Sequence, residues 1–273
     1  MKKLLVALAV LLLALPSSAA IQYEFVQKNT SADAVLPVTD LTARAVVDGD
    51  RSRVDFVGGN VYPPGTYVIS TDGSRTLQFI DPTKKWYTEV NTASVATALG
   101  TSSIRVTNLK SAMEMRDDRP VIAGYPTEHS RLTITYDISV TMKSIVLKQH
   151  VRTEIDTWAT PQFPAVSPMS FLSGLRTGNP EIDKLLDVET TRVAGFPLRQ
   201  TVTTRTVADL PPRRSEIKTP TSRTIVREMW VTSIREVAPD ASLFVIPPTY
   251  RRADAQEAPK AARETLTFDP PAK

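Results

Sequence analysis

The stretch RLTITYDISV, residues 131–140, alternates apolar and polar side chains without a break. Its apolar positions include β-branched and aromatic residues, which favour strands. Strict alternation over this length predicts a β-strand with one face buried and the other in water, as in antiparallel sheets. The side chains predicted to share the apolar face are Leu132, Ile134, Tyr136, Ile138 and Val140.

Short strands also dominate residues 41–90, where turn signals separate apolar runs at close spacing. The signals are DGD at 48–50, DGS at 72–74 and DPTK at 81–84. Asp-Gly between apolar runs favours tight hairpin turns because both residues tolerate positive φ. We therefore expect a meander of about five short strands in this region.

Helical signals are few. The best is NPEIDKLLDVE (179–189), where Asn179 can cap the helix and Pro180 suits its first position. NTASVATALG (91–100) and SPMSFLSGL (167–175) are shorter candidates. We expect these two or three helices to cover one face of the sheet.

Two phrases of the chain are near-copies, AGYPTEH at 123–129 and AGFPLRQ at 194–200. The first begins 35 residues before Trp158 and the second begins 36 residues before Trp230. Glycine followed by an aromatic residue and proline suits a tight turn that enters a strand. The repeated unit is therefore a turn, a strand and a return strand ending in Trp-x-Thr. We favour each tryptophan as ordinary core over the alternative that both line one ligand pocket.

Trp158 complicates that interpretation. Strict alternation places it on the face of four polar residues, so either a bulge intervenes or the tryptophan covers a polar face. The polar residues are His150, Arg152, Glu154 and Asp156. They could form a general-base or metal site, but we favour a solvated strand face with ion pairs between neighbours.

Residues 1–20 have the pattern of a secretory signal peptide. Two lysines precede a run of 12 apolar residues, and PSSAA follows. Because a bilayer span needs roughly 20 apolar residues, we favour a cleaved signal over a membrane anchor. Cleavage after Ala19 or Ala20 would leave a periplasmic or secreted protein that does not span a membrane.

The rest of the chain is predicted to form one β-rich domain, residues 21–250. Within it, the mixture of prolines and charges at 208–222 predicts a long exposed hairpin loop. The tail at 251–273 is rich in alanine, proline and charge. It has little to bury, so we expect it to be disordered.

Composition excludes several functions. The chain has no cysteine, which rules out disulfides, thiolate catalysis and cysteine metal sites. It has 33 lysines and arginines against 29 acidic residues, and removing the two lysines of the signal leaves 31 against 29. A net charge of +2 gives no electrostatic footprint for nucleic acid.

Catalytic motifs are missing as well. The only histidines are His129 and His150, and neither belongs to a His-Glu-x-x-His pattern. No G-x-S-x-G elbow, P-loop or dinucleotide-binding glycine motif occurs. We therefore assign no catalytic residue, metal ligand or cofactor, and we do not expect an enzyme.

Longer phrases carry a family resemblance. GTYVISTDGSRTLQFIDPTKKWYTEV (65–90), the two Ala-Gly-aromatic-Pro turns and VTSIREVAPDASLFVIPPTYRR (231–252) resemble a group of exported bacterial proteins of unknown function. That group is similar in pattern to the LolA/LolB-like periplasmic half-barrels, the lipoprotein carriers. The resemblance implies a curved antiparallel sheet around a few helices, with an apolar concave face able to hold acyl chains.

Together these observations predict a mainly β protein whose large curved antiparallel sheet, a LolA/LolB-like half-barrel, carries two or three covering helices. We expect a non-enzymatic binding or carrier protein for an apolar ligand, a lipid or a lipoprotein acyl chain. The five apolar residues of 131–140 are its candidate lining. The alternative is a structural or protein-interaction module of the cell envelope whose inner face is filled by its own helices.

Overall fold

The computed structural model describes residues 19–31, 39–91, 103–142, 145–164, 180–190, 195–209 and 222–253. These residues form fourteen strands, one α-helix and one 3₁₀ turn. The strands are β1 (Ala20–Ser31), β2 (Thr39–Asp48), β3 (Arg51–Gly59), β4 (Tyr67–Ser70), β5 (Thr76–Asp81), β6 (Trp86–Asn91), β7 (Ser103–Arg116), β8 (Val121–Ile122), β9 (Tyr125–Pro126), β10 (Glu128–Met142), β11 (Ile145–Thr160), β12 (Phe196–Asp209), β13 (Ser222–Val237) and β14 (Arg251–Arg252). Helix α1 is Pro180–Thr190, and the 3₁₀ turn is Ala241–Phe244.

Twelve of these strands make one large sheet in the order β14-β6-β5-β4-β3-β2-β1-β13-β12-β11-β10-β7. Neighbouring strands run antiparallel, except that β14 is parallel to β6. Within the described residues β14 and β7 do not pair with each other, so the sheet is open. The predicted fold class, a mainly β chain with one large half-barrel sheet, is confirmed.

Irregular pairing bends this sheet. Register shifts occur between β1 and β13, β2 and β3, β7 and β10, and β11 and β12. A β-bulge adds a residue to one strand, bends that strand and increases its twist. We call the face that carries the buried side chains of Phe25, Phe56 and Phe196 the inner face, and the opposite face the outer face.

The predicted meander of residues 41–90 is also confirmed, as strands β2 to β6. Gly49 and Gly73 adopt φ values of 57° and 68° in the turns that the Asp-Gly signals predicted. Positive φ is accessible to glycine at little cost, which allows the strands to reverse within two or three residues. We call β2–β6 with β14 the meander half, and β7 with β10–β13 the long-strand half.

A large apolar cluster covers the inner face of the meander half and continues under β1, β12 and β13. Its aromatic rings contact one another directly. Phe56 stacks on Tyr62 with ring centroids 4.0 Å apart, and Tyr23 meets the edge of Phe196 at 5.1 Å. Buried aromatic pairs of this geometry stabilise a core beyond their area alone.

The outer face of the meander half is covered too. Phe244 of the 3₁₀ turn packs with Ile69 and Ile80, while the segment after the turn adds partly buried apolar side chains. Asp240 caps the turn by accepting a hydrogen bond from the backbone N–H of Ser242 at 2.9 Å. The C-terminal segment therefore closes a second apolar layer over strands β2 to β6.

The folded chain extends past the predicted boundary at residue 250. Arg251 and Arg252 pair with Trp86 and Tyr87 in β6, and Ala253 is 5% exposed. These three residues were assigned to a disordered tail, and they belong to the sheet instead. Residues 254–273 lie outside the described part of the chain.

The helix predicted at 179–189 is confirmed as α1. The candidates at 91–100 and 167–175 lie outside the described residues, apart from Asn91, which ends β6. The described part of the chain therefore contains one covering helix where two or three were expected. None of its helices is long and apolar enough to cross a membrane.

Two further predictions fall largely outside the described residues. Of the signal peptide, the structure describes only Ala19 and Ala20, and Ala20 begins β1. Of the predicted loop at 208–222, the two ends belong to strands β12 and β13, and residues 210–221 are not described.

Candidate functional site

The predicted apolar lining lies on the inner face of β10. Pairing between β10 and β11 is unbroken, with Leu132 opposite Ile155 and Val140 opposite Leu147. Because side chains alternate between the two faces of a strand, all five predicted residues share one face. The sequence therefore gave the correct grouping of these residues.

Part of this face is closed by helix α1. Leu132 and Ile134 are 4% and 0% exposed, and Leu185 and Val188 of α1 pack against their cluster. The start of the helix is held at the sheet edge, where the carboxylate of Glu181 accepts a hydrogen bond from the N–H of Val106. The sequence of α1 places apolar side chains on one side of the helix and acidic residues in its first turn.

The remainder of the face is more open. Tyr136, Ile138 and Val140 are half-buried, in contrast to the fully buried pair beside them. Ile104 and Leu147, the two cross-strand neighbours of Val140, are also half-buried, whereas Val106 opposite Ile138 and Val151 opposite Tyr136 are 7% and 5% exposed. We call Tyr136, Ile138 and Val140 with Ile104 and Leu147 the open part, a half-buried apolar surface beside the start of α1.

Strand β13 adds a polar strip to the same inner face, which sequence reasoning did not identify. Arg227 is opposite Val202 in β12, which is opposite Ile155 in β11, so these residues share a face with Leu132. Two residues earlier in the chain, Ile225 lies on this face as well. Arg223, another two residues earlier, also lies on the inner face and is opposite Thr206.

This strip contains polar atoms without partners. The Nε atom of Arg223 is buried and forms no hydrogen bond, and among the described residues neither Arg223 nor Arg227 forms an ion pair. Asn29 lies opposite Arg227 in β1 and donates to Thr39 Oγ1 at 2.8 Å, but its Oδ1 is buried and unpaired. Buried polar atoms are normally hydrogen-bonded, because leaving one unpaired costs roughly 1–3 kcal/mol.

The two tryptophans lie on the outer face and are half-buried. They are therefore not the ordinary core that we favoured. Trp158 and Trp230 are both opposite Arg199, which lies between them on β12. The Arg199 guanidinium stands 4.9 Å from the Trp158 ring centroid, within the range of a cation–π interaction.

The alternation of β11 continues without a break to Trp158, so the tryptophan covers a polar face, and the bulge in the pairing with β12 comes only after it. Its ring stacks on His129 with centroids 4.1 Å apart, and its indole N–H donates to Asp118 at 3.0 Å. Of the two outcomes that the alternation left open, the covered polar face is therefore the one that occurs. The bulge lets Pro197 enter the strand, a position where proline is tolerated in a sheet.

The repeated phrases have a shared structural role. Tyr125 of the first phrase and Phe196 of the second both meet Phe163, at centroid distances of 5.0 Å and 6.3 Å. Gly195 has φ +81°, and a Cβ there would lie 2.4 Å from the carbonyl oxygen of Thr160. The phrases thus bring two turns against one aromatic contact at the same end of the sheet.

His129 is the centre of a charged network on the outer face. Its Nδ1 lies 2.5 Å from an oxygen of Asp118, and its Nε2 lies 2.9 Å from an oxygen of Asp156. Arg131 adds two hydrogen bonds to Asp156, at 2.8 and 3.0 Å.

These contacts shift two carboxyl groups. Burial acts to raise the pKa of Asp156, but hydrogen bonds from Arg131 and His129 outweigh it and hold the pKa below the ordinary value of 3.8. Hydrogen bonds from His129 and Trp158 lower the pKa of Asp118 in the same way. Both carboxylates are therefore stabilised in their charged forms, and the network acts as a structural clamp around Trp158.

A shallow cleft of about 320 Å³ lies beside Trp230. Ile122, Arg199 and Glu228 complete its lining. Lys28 covers another part of the same tryptophan, 5.7 Å from the ring centroid. Arg199 and Glu228 are exposed, so water reaches both charges.

The polar cluster predicted on β11 separates into pairs. His150 contacts Asp137 at 2.7 Å, and Arg152 contacts Glu154 at 2.7 Å, while Asp156 belongs to the His129 network. The side chains of His150 and Arg152 are 60% and 53% exposed, which confirms a solvated strand face. Within the described residues, no group of three or more potential ligands could hold a metal ion.

Comparisons with known proteins give only a remote likeness. No family model matches the chain, and no curated protein matches it. Among solved structures, the chain is similar to a LolA superfamily protein from Nitrosomonas europaea, with 9% sequence identity and a TM-score of 0.33. The match covers 85% of this chain and 91% of that chain. At this TM-score the likeness supports no argument about this chain, and the fold described above rests on strand order and pairing.

Proposed function

We propose that the protein is an exported, non-enzymatic binding or carrier protein for an apolar ligand such as a lipid or a lipoprotein acyl chain. The ligand would contact the open part of the inner face, from Tyr136 to Val140. The remaining apolar surface there is the observation that carries the proposal. A β-strand face without a complete cover retains apolar area whose removal from water is worth about 25 cal/mol per Å².

The contrast with the neighbouring residues supports this choice of site. Leu132 and Ile134 continue the same face and are fully buried beneath α1. Farther along the strand, Tyr136, Ile138 and Val140 keep the same apolar character but are only half-buried. An apolar ligand placed there would extend the packing that α1 begins.

The direct test is native mass spectrometry of the purified protein, combined with lipid extraction. We expect co-purifying amphiphiles, and we expect the neutral apolar probe N-phenyl-1-naphthylamine to bind with enhanced fluorescence. Ile138→Trp should fill the open part and reduce probe binding at least tenfold. Val146→Trp is the matched control, because Val146 is 47% exposed on the outer face of the neighbouring strand.

Export is part of the proposal and has its own test. Ala20 is 1% exposed, begins β1 and pairs with Val237. Cleavage after Ala20 would remove a buried residue from the sheet, whereas cleavage after Ala19 would keep it. We therefore expect the N-terminal sequence of the mature protein in the periplasm or medium to begin at Ala20.

The second candidate is an interaction module of the cell envelope with a filled inner face. The packing of α1 over Leu132 and Ile134 favours it, because the helix already occupies part of the predicted lining. Absence of co-purifying amphiphile and of probe binding, in a protein that remains folded, would favour this candidate over the carrier.

A further inference from the structure

We propose that the inner face binds an anionic amphiphile, with its carboxylate or phosphate head group held by Arg223 and Arg227. This inference rests on the proposed binding of an apolar ligand and adds the charge class of that ligand. It places the head group on β13 and the tail toward the apolar part of β10 and β11. Ile225, between the two arginines on the same face, would lie beneath the head group.

Strand register brings these chemistries onto one surface. Arg223 is in a cross-strand row with Thr206, Val151 and Tyr136. The row therefore runs from a cation, past a half-buried threonine and the buried Val151, to the half-buried Tyr136 in three strand spacings. At about 4.8 Å per strand, this distance is about 14 Å. A molecule that spans it needs a charged end and an apolar end.

The two arginines are close enough to act on one group. They are four residues apart along β13, a separation of about 13 Å at 3.3 Å per residue. Both side chains extend from the same face, and their planar guanidinium groups suit the paired oxygens of a carboxylate or phosphate. An anionic head above Ile225 would be within reach of both.

The unpaired Nε atom of Arg223 favours a bound anion at this position. The Nε of Arg223 is buried and lacks a hydrogen-bond partner, and its charge has no opposing carboxylate among the described residues. Unpaired buried donors are costly, and an anionic oxygen is the strongest acceptor for a guanidinium. Two outer-face arginines, in contrast, have carboxylate partners: Arg44 pairs with Glu24, and Arg131 pairs with Asp156.

The test compares head groups on one tail. Dodecanoate, dodecyl phosphate and the neutral dodecyl maltoside are titrated against protein loaded with N-phenyl-1-naphthylamine, below their critical micelle concentrations. We expect both anionic compounds to displace the probe at roughly tenfold to a hundredfold lower concentration than the maltoside, the range for a charge-assisted hydrogen bond. The relative affinities of carboxylate and phosphate then show which head group the site prefers.

Variants connect this selectivity to the arginines. Arg227→Gln, at an exposed position, should narrow the gap between anionic and neutral compounds several-fold, and adding Arg223→Gln should reduce it below about twofold. Binding of dodecyl maltoside should not change. Arg235→Gln is the matched control, because Arg235 is on β13 but faces outward, where it donates to Gln22 at 3.3 Å.

Two outcomes would overturn the inference, and they can be told apart. Equal affinity for charged and neutral heads, or selectivity that survives both substitutions, would remove the anion site and leave the apolar ligand. Failure of the probe and of all three amphiphiles to bind folded protein would remove the proposed function as well.

Discussion

The two halves of the sheet bury their apolar side chains in different ways. In the meander half, apolar layers cover both faces, so that all four residues of β4 are buried. In the long-strand half, α1 covers part of the inner face, and the outer face consists of ion pairs and half-buried tryptophans. The meander half therefore concentrates packing energy, while the long-strand half keeps half-buried apolar side chains on its inner face.

The difference follows from what lies next to each half. The C-terminal segment returns to the meander half and adds Phe244 and β14 to it. The described residues provide no such layer for the outer face of β10 to β13. Long strands with one polar face need only one apolar cover, whereas the meander half also carries apolar side chains such as Val46, Ile69 and Ile80 on its outer face.

The largest expected effect compares the halves directly. Ile69→Ala, in β4 at 0% exposure, should lower the free energy of unfolding by about 2–5 kcal/mol through lost burial and a residual cavity. Ile138→Ala, at a half-buried position, should lower it by only about 1 kcal/mol. Urea unfolding followed by circular dichroism measures both changes. Equal losses would contradict the distinction between a sealed and an open half.

The next effect concerns the two copies of the repeated phrase. Gly195→Ala should cost about 3 kcal/mol, because it combines a positive φ with a collision against Thr160. Gly124→Ala should cost about 1 kcal/mol, since φ is +86° there but nothing lies within 4 Å of the new methyl group. Thermal and urea unfolding of the two variants provide the comparison. A reversed order would mean that the second turn is not packed as closely as described.

Trp230→Ala should have a smaller effect than a buried tryptophan would give. A fully buried tryptophan replaced by alanine costs about 3–5 kcal/mol, but Trp230 is half-buried beside a cleft. We expect about 1–2 kcal/mol from chemical unfolding. A loss near the upper figure would instead place this side chain in the core.

The smallest effect should appear only in acid. The folded pKa of Asp156 is lowered, so its stabilising contribution is present above the ordinary value of 3.8 and is lost as pH falls through the folded pKa. Asp156→Asn should therefore flatten the decline of stability below about pH 4, by less than about 1.4 kcal/mol per pH unit. Urea midpoints measured from pH 2 to pH 7 check this. An unchanged slope would remove Asp156 from the acid response.

The local sequence pattern was sufficient to predict the buried side of a strand wherever each face of that strand has a single environment. The alternation of 131–140 predicted the common face of Leu132 and Val140, and the Asp-Gly pairs predicted the meander turns. It failed for the tryptophans, because burial of Trp158 depends on His129 and Asp118, which come from other parts of the chain. Periodicity assigns a side to a residue but does not say what covers that side.

The arginines of the inner face show the same limit. The alternation of RTIVREMWV (223–231) places Arg223, Ile225 and Arg227 on one side together with buried Met229 and Val231, which could have been noticed. Only cross-strand pairing shows that these arginines share a face with Val202 and Ile155 of the neighbouring strands. Long-range register brings together residues that are 70 or more positions apart, and no local signal encodes it.

The sequence by itself determined the strand content, the meander, one helix and the grouping of an apolar face, because each depends on spacing within a few residues. Only the tertiary structure decided which apolar residues α1 covers, that β14 joins the sheet, and that two arginines without an ion pair among the described residues share a face with the apolar surface. Those outcomes depend on which distant segments pack together, and that is set by the free energy of the whole fold.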